Sequence, residues 1–274
     1  MSEEIVLQGF GGKLAAKRWT QGKSPLLALH GWLDNAGSFD GLAPLLDGYD
    51  LVCLDLPGHG FSYHRPPGVP YHFVDWVPEV FQAAESLGWE KFHLLGHSMG
   101  AAIATLAAGT FPEKIHKLVL LEGIGPFSSP DEEAPALLQK ALLYKPSQGR
   151  RYYPDREDAI KRLMRRELEE HSARALAERA LAGDESGWYF TYATEARGPS
   201  RQRPTENQVL AYLKRISCPT LFVYASDGLK LPEPYAQRHR FIADLTKVEV
   251  EGRHHAHLDH PQRVAPLIKE FLVG

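Results

Sequence analysis

The chain is expected to be an α/β protein, with a mostly parallel central sheet flanked by helices and one inserted helical segment. Three observations predict it. Short apolar runs alternate with longer helix-forming stretches along most of the 274 residues. Gly96-His97-Ser98-Met99-Gly100 joins an apolar run, Lys91-Phe92-His93-Leu94-Leu95, to a strong helix former beginning at Ala101, which is a strand-turn-helix pattern. From Pro126 to about Pro204 the alternation stops and the composition turns to charge and helix formers.

Taken in order, Ile5-Val6-Leu7-Gln8, a turn at Gly11-Gly12 and the run from Leu14 to Trp19 read as an opening hairpin. Buried strands are expected at 26–29, 51–54, 92–95, 117–121, 220–224 and 247–250. Helices fit 38–46, 74–87, 100–110, 233–243 and 261–272. Within the interruption, 159–170 and 173–182 carry spaced apolar residues and Arg/Glu pairs, as surface helices do. This gives a core of residues 1–125 and 205–274, and a helical lid of residues 126–204 over the C-terminal strand ends. Active sites of open α/β sheets lie at those ends.

Composition bounds the function without choosing it. Apolar residues make up 43% and charged residues 24%, as in ordinary globular proteins. The net charge of −3 gives no electrostatic reason to expect nucleic acid or an anionic membrane as partner. Cys53 and Cys218, both in apolar runs, read as buried thiols of a cytosolic protein. Met1-Ser2-Glu3-Glu4 lacks the basic and apolar regions of a signal peptide, and no apolar run approaches the ~20 residues that span a bilayer. The expectation is a cytoplasmic enzyme or binding protein, monomer or homodimer, whose partner is a small molecule.

Chemistry concentrates in a few places. Gly96 and Gly100 permit a sharp turn that exposes the Ser98 hydroxyl. That hydroxyl is a poor nucleophile until a base takes its proton and an acid orients the base. Four histidines compete for the base in Gly252-Arg253-His254-His255-Ala256-His257-Leu258-Asp259-His260-Pro261. His254 lies nearest the preceding strand end and is preferred, with His255 next; His257 and His260 stand near a helix start, where side chains face outward or cap. For the acid, Asp227 follows the strand at 220–224, while Glu122 ends the strand at 117–121. Asp227 is preferred and Glu122 is the alternative. An oxyanion needs positioned N–H groups: Met99, after the nucleophile, supplies one, and Trp32 in His30-Gly31-Trp32-Leu33-Asp34-Asn35 the other. Trp188 and Tyr192, among the aromatics of the inserted segment, are candidates for a pocket roof. His255-Ala256-His257 offers imidazoles, but no carboxylate or cysteine stands at ligand spacing, so a metal site is not expected.

With these motifs in place the chain resembles the α/β-hydrolase superfamily over nearly its whole length. The resemblance rests on His30-Gly31-Trp32, Asp55-Leu56-Pro57-Gly58-His59-Gly60-Phe61-Ser62, Gly96-His97-Ser98-Met99-Gly100 and His254 through Pro261, in the family's order. Within it, the first and third are similar to serine hydrolase-like proteins, and the His-Gly-Trp loop to carboxylesterases acting on pimeloyl-carrier-protein methyl ester. The resemblance implies the α/β-hydrolase fold and ester hydrolysis through an acyl-enzyme without a cofactor. It also supports His254, because the family's catalytic histidine usually stands seven residues before a proline, here Pro261. Two positions depart from the pattern. Gly228 stands where the family's aspartate is usual, and Ala101 where many relatives have a second glycine. Dehalogenase and epoxide hydrolase branches use an aspartate nucleophile, which Ser98 argues against. The expected activity is cleavage of a small or medium carboxylic ester by water. A thioesterase or C–C bond hydrolase using the same triad, and a catalytically silent binding protein, remain alternatives.

Overall fold

The computed structural model describes residues 2–145, 150–231 and 233–273. Residues 146–149 of the expected lid lie outside them. The elements are β1 (Glu3–Gln8), β2 (Lys13–Thr20), β3 (Gly22–Leu29), β4 (Gly48–Leu54), α1 (Phe73–Ser86), β5 (Phe92–His97), α2 (Met99–Thr110), β6 (Ile115–Leu121), α3 (Ala134–Leu143), α4 (Arg156–Met164), α5 (Glu170–Ala180), β7 (Leu181–Asp184), β8 (Gly187–Phe190), α6 (Glu206–Arg215), β9 (Thr220–Asp227), β10 (Leu245–Arg253), α7 (Ala256–Asp259) and α8 (Pro261–Val273). Eight strands form one sheet in the order β1-β2-β4-β3-β5-β6-β9-β10. Only β2 runs against the others: it pairs antiparallel with both β1 and β4, and the remaining pairings are parallel.

Alternation along the strands builds a core on each face. Leu27 and Leu29 of β3 join Val52, Leu54 and Leu94 beneath α1, α2 and α6. Leu26 and Ala28 face the other way, with Leu51, Cys53, Leu95 and Val119, against α8. Each fully buried leucine contributes about 1.5–3 kcal/mol. Helix α2 is buried from Met99 to Gly109, and its run of alanines lets it lie close to the sheet and to α6. Gly109 is required there, because a Cβ would stand 2.6 Å from the Tyr212 carbonyl oxygen.

Two predicted helices are shorter and tighter than expected. The stretch 38–46 is a pair of 3₁₀ turns, Ala36–Phe39 and Ala43–Leu45, the first capped by Asn35 and the second opened by Pro44. The stretch 233–243 is a 3₁₀ helix, Tyr235–Phe241.

Between β6 and β9 the chain forms more than helices. β7 and β8 pair antiparallel, Leu181 opposite Phe190 and Asp184 opposite Gly187. Each has only four residues, too few to show a period-2 pattern, and Gly187 at φ 122° makes the turn. Together with α4 and α5 they enclose an apolar cluster that includes Tyr153, Ile160, Leu163, Leu168, Leu176 and Leu181.

Candidate functional site

The C-terminal ends of β3, β5, β6, β9 and β10 converge on Ser98. Ser98 sits in the turn between β5 and α2 at φ 52°, ψ −112°, a conformation costing about 1–3 kcal/mol that the surroundings enforce. A Cβ on Gly96 would lie 2.4 Å from the Gly100 carbonyl oxygen, and one on Gly100 would lie 2.1 Å from that of Leu29. No side chain fits at either end of the turn.

The Ser98 hydroxyl lies 2.9 Å from His254 Nε2, and His254 Nδ1 lies 3.0 Å from Glu122 Oε2. Because a carboxylate only accepts, Nδ1–H donates to Glu122, which leaves Nε2 free to accept from Ser98. His254 is part-exposed, whereas Glu122 is buried. The Glu122 carboxylate is held by two further donors: Ala225 N–H at 2.5 Å to Oε1 and Leu229 N–H at 3.0 Å to Oε2.

Of the two carboxylates named from the sequence, it is the alternative, Glu122, and not the preferred Asp227, that stands beside His254. Asp227 is exposed at the end of β9, opposite Arg253 in the β9–β10 register, and it is Glu122 that reaches His254. The cause is visible at Gly228. A Cβ there would stand 2.3 Å from Glu122 Oε2, so the carboxylate fills the space that a side chain at 228 would occupy. The carboxylate beside His254 comes from the end of β6 instead of from β9. Glycine in the expected aspartate position was the signal for this exchange.

The competing histidines have other partners. His255 Nε2 lies 3.2 Å from Asp34 Oδ2, and His260 lies 3.3 Å from Glu169. His257, expected to face outward, is buried, with Nε2 2.9 Å from Ser38 Oγ. Burial, with His255 beside it, lowers its imidazole to about 3.

Met99 opens α2, so its backbone N–H has no acceptor within the helix. Trp32 follows Gly31, whose Cβ would lie 2.9 Å from His97 Nδ1. Trp32 is gripped from the inserted segment at two points: Arg166 donates to its carbonyl at 2.9 Å, and its indole N–H donates to the Ala196 carbonyl at 2.9 Å. The same guanidinium lies 3.0 Å from Asp34 Oδ1. Burial opposes ionisation of Asp34, but Arg166 and His255 hold its carboxyl well below the usual range. Arg166 carried no local signal in the sequence, since its partners lie more than 130 residues away.

The two roof aromatics are placed differently from one another. Trp188 pairs by backbone with Tyr153 and packs on the inserted segment's own cluster. Tyr192 stacks on Phe190 with ring centroids 5.4 Å apart, and burial raises its phenol against the opposing charges of Arg197, Arg166 and Arg162. A groove of about 800 Å³ lies between α1, α2 and α6, lined by Phe81, Trp89, Phe111 and Tyr212 and by none of Ser98, Glu122 and His254.

The family described as the alpha/beta hydrolase fold matches residues 24–261, from β3 through His254 to the start of α8. The chain belongs to this family. It is a serine hydrolase-like member. It is 32% identical to a serine hydrolase-like protein of Danio rerio, over 95% of this chain and 85% of the relative. It is 34% identical to a probable serine hydrolase of Drosophila melanogaster, over 98% and 87%. Among solved structures, a hypothetical protein of Pseudomonas aeruginosa PAO1 superposes with a TM-score of 0.91 at 35% identity, covering 100% of this chain and 99% of that one. The thioesterase domain from the curacin biosynthetic pathway superposes at 0.83 and 27% identity, covering 98% and 99%. Among the described residues, no helix of this alpha/beta hydrolase is long and apolar enough to cross a membrane.

Proposed function

We propose that this alpha/beta hydrolase cleaves carboxylic esters of a small or medium acyl group, with Ser98 as nucleophile, His254 as general base and acid, and Glu122 as the orienting carboxylate. The observation that carries the reading is the continuous hydrogen-bonded chain Ser98–His254–Glu122 at 2.9 and 3.0 Å on a strained turn. Ser98 Oγ attacks the ester carbonyl while His254 Nε2 takes its proton. The oxyanion is stabilised by the N–H groups of Met99 and Trp32. His254 returns the proton to the leaving alcohol, and the acyl group stays on Ser98. Water, deprotonated by His254, then attacks the acyl-enzyme; His254 returns that proton to Ser98 Oγ as the acyl–oxygen bond breaks and the acid leaves. In this reading the segment 126–204 covers the site as a lid.

A second reading keeps the chain of groups and changes the leaving atom to sulfur. It is favoured by the likeness to the curacin thioesterase domain over 98% of this chain.

A fluorophosphonate probe tests the nucleophile. The wild type is expected to carry one covalent adduct, on Ser98, and Ser98→Ala none; equal labelling of both overturns the assignment. Matched oxygen and thiol esters of increasing acyl length then separate the two readings by kcat/KM.

A further inference from the structure

We propose that Asp34, His97 and His255 form a second site, behind the Ser98–His254 pair, that binds a divalent transition ion of the Zn²⁺ class. This inference does not depend on which bond Ser98 cleaves.

The three residues come from separate parts of the chain: the loop after β3, the end of β5 and the entry to α7. None of the three side chains is more than 4% exposed. His255 Nε2 lies 3.2 Å and His97 Nδ1 3.9 Å from the same Asp34 oxygen, Oδ2, and one ligand atom from each residue lies within 4.8 Å of the others. Ligand atoms on a tetrahedral zinc ion, bonded at ~2.0–2.1 Å, stand about 3.4 Å apart, so separations that close by up to about 1.4 Å, shared between two side chains, complete the geometry. Two imidazoles and a carboxylate are the donor set of open zinc sites, in which water takes the fourth position. Hard Mg²⁺ and Ca²⁺ prefer sites built from oxygen alone.

The second observation is a tautomer fixed by geometry. His97 Nε2 lies 2.9 Å from the carbonyl oxygen of His254. A carbonyl only accepts, so Nε2 carries the hydrogen and Nδ1 of the neutral ring presents a bare lone pair. That nitrogen is fully buried, without a hydrogen-bond partner, and the nearest carboxylate oxygen is itself an acceptor. Of these two facing acceptors, Oδ2 takes the nearby donor, His255 Nε2–H, and Nδ1 is left unmet in a dry interior. A cation between them supplies what Nδ1 lacks.

The surroundings are those of a ligand set. A metal-bound histidine usually donates its other N–H to a carbonyl, as His97 does. A ligating carboxylate is usually anchored from outside, and Arg166 forms an ion pair at 3.0 Å with Oδ1, an oxygen with no hydrogen-bond partner among the described residues, leaving Oδ2 turned toward the two imidazoles. On binding, His255 moves its proton from Nε2 to Nδ1, which has no partner in the ion-free arrangement. No redox step or proton release is required.

The test is calorimetric titration of chelator-treated protein with Zn²⁺ in excess Mg²⁺. One Zn²⁺ per wild-type chain is expected. Affinity should fall by at least about 100-fold in His97→Gln and in His255→Gln, since loss of an outer-shell partner alone already costs about 10–100-fold. It should persist in His254→Gln, which separates this site from the triad, and in His116→Gln, which removes a histidine whose ring centroid lies 5.4 Å from that of His93. Because buried variants risk misfolding, Co²⁺ added to the wild type supplies a second readout: the intense visible bands of four-coordinate Co²⁺. Absence of stoichiometric Zn²⁺ binding, binding unchanged in both ligand variants, loss in His254→Gln, or a weak octahedral Co²⁺ spectrum each overturns the proposal. The first outcome would mean that a trapped water satisfies His97 Nδ1.

Discussion

Glu122 stands at φ 58°, a strained conformation for a residue with a side chain, and its carboxylate accepts from Ala225, Leu229 and His254. Three donors around one carboxylate leave it a single orientation, which is what an orienting acid needs. Glu122→Gln preserves the shape but reverses the hydrogen-bond polarity toward His254 Nδ1. In steady-state kinetics kcat should fall by about 10⁴, as when a triad carboxylate becomes an amide. Asp227→Asn, exposed on β9, should change it less than about twofold, as surface substitutions usually do. The exchange of positions makes a sharper test. Glu122→Gly relieves the positive φ and empties the space beside residue 228, and adding Gly228→Asp returns a carboxylate to it. The double variant should regain activity that Glu122→Gly lacks, whereas Gly228→Asp alone should be impaired, because its Cβ would stand 2.3 Å from Glu122 Oε2. No recovery in the double variant would show that the position of the carboxylate alone does not restore function.

At the scale of elements, the segment between β6 and β9 is tied to the sheet loops by polar contacts. Asn35 donates to the Leu176 carbonyl, Ala193 N–H to the Gly58 carbonyl, and Glu169 N–H to Asp259. The strongest tie is Arg179 of α5. It is buried, its NH2 lies 2.6 Å from Asp55 Oδ2, it pairs with Glu4, and it lies over the Phe61 ring. Asp55 is fully buried and also accepts from Ala36 and Phe61 N–H. Arg179→Met would leave that carboxylate without its cation, at a cost of about 3–5 kcal/mol. Urea denaturation followed by circular dichroism checks this, and a loss below ~1 kcal/mol would show that backbone donors alone satisfy Asp55. The sheet was legible in the sequence because its strands are apolar runs set by local periodicity. The small hairpin of β7 and β8 was not, since four residues hold no period and its pairing is settled by contact with Tyr153. The 3₁₀ turns at 36–45 escaped for a similar reason: Gly37, Gly41 and Pro44 interrupt an otherwise apolar stretch.

Across the whole molecule, groups announced by motifs were readable, and groups joined only by the fold were not. Ser98 and His254 stand in short motifs whose spacing carries their chemistry. The choice between Glu122 and Asp227 depended on which strand end lies nearest His254, a distance between residues more than 100 positions apart. The buried histidines are also a product of the fold, and they make stability depend on pH. Burial is the main cause that lowers His30 to about 4 and His59 to about 3. Around His30 stand Asp34 and Arg179, and around His59 stand His30, Asp34 and Asp55; the carboxylates oppose the shift without overcoming it. Both rings are neutral in the folded protein, while an unfolded histidine titrates near 6.5. Between those values the unfolded chain binds more protons, so stability rises with pH; it is fully present above about pH 6.5 and is lost as pH falls toward 4. Each such group gives a slope of up to about 1.4 kcal/mol per pH unit near pH 5, where most carboxylates are still ionised in both states, and buried His257, lowered to about 3, adds to His30 and His59. Urea midpoints at pH 7, 6 and 5 should fall in that order, and His59→Gln should flatten the fall by removing one of these protons. A midpoint independent of pH over this range would mean that these rings are already charged in the folded protein.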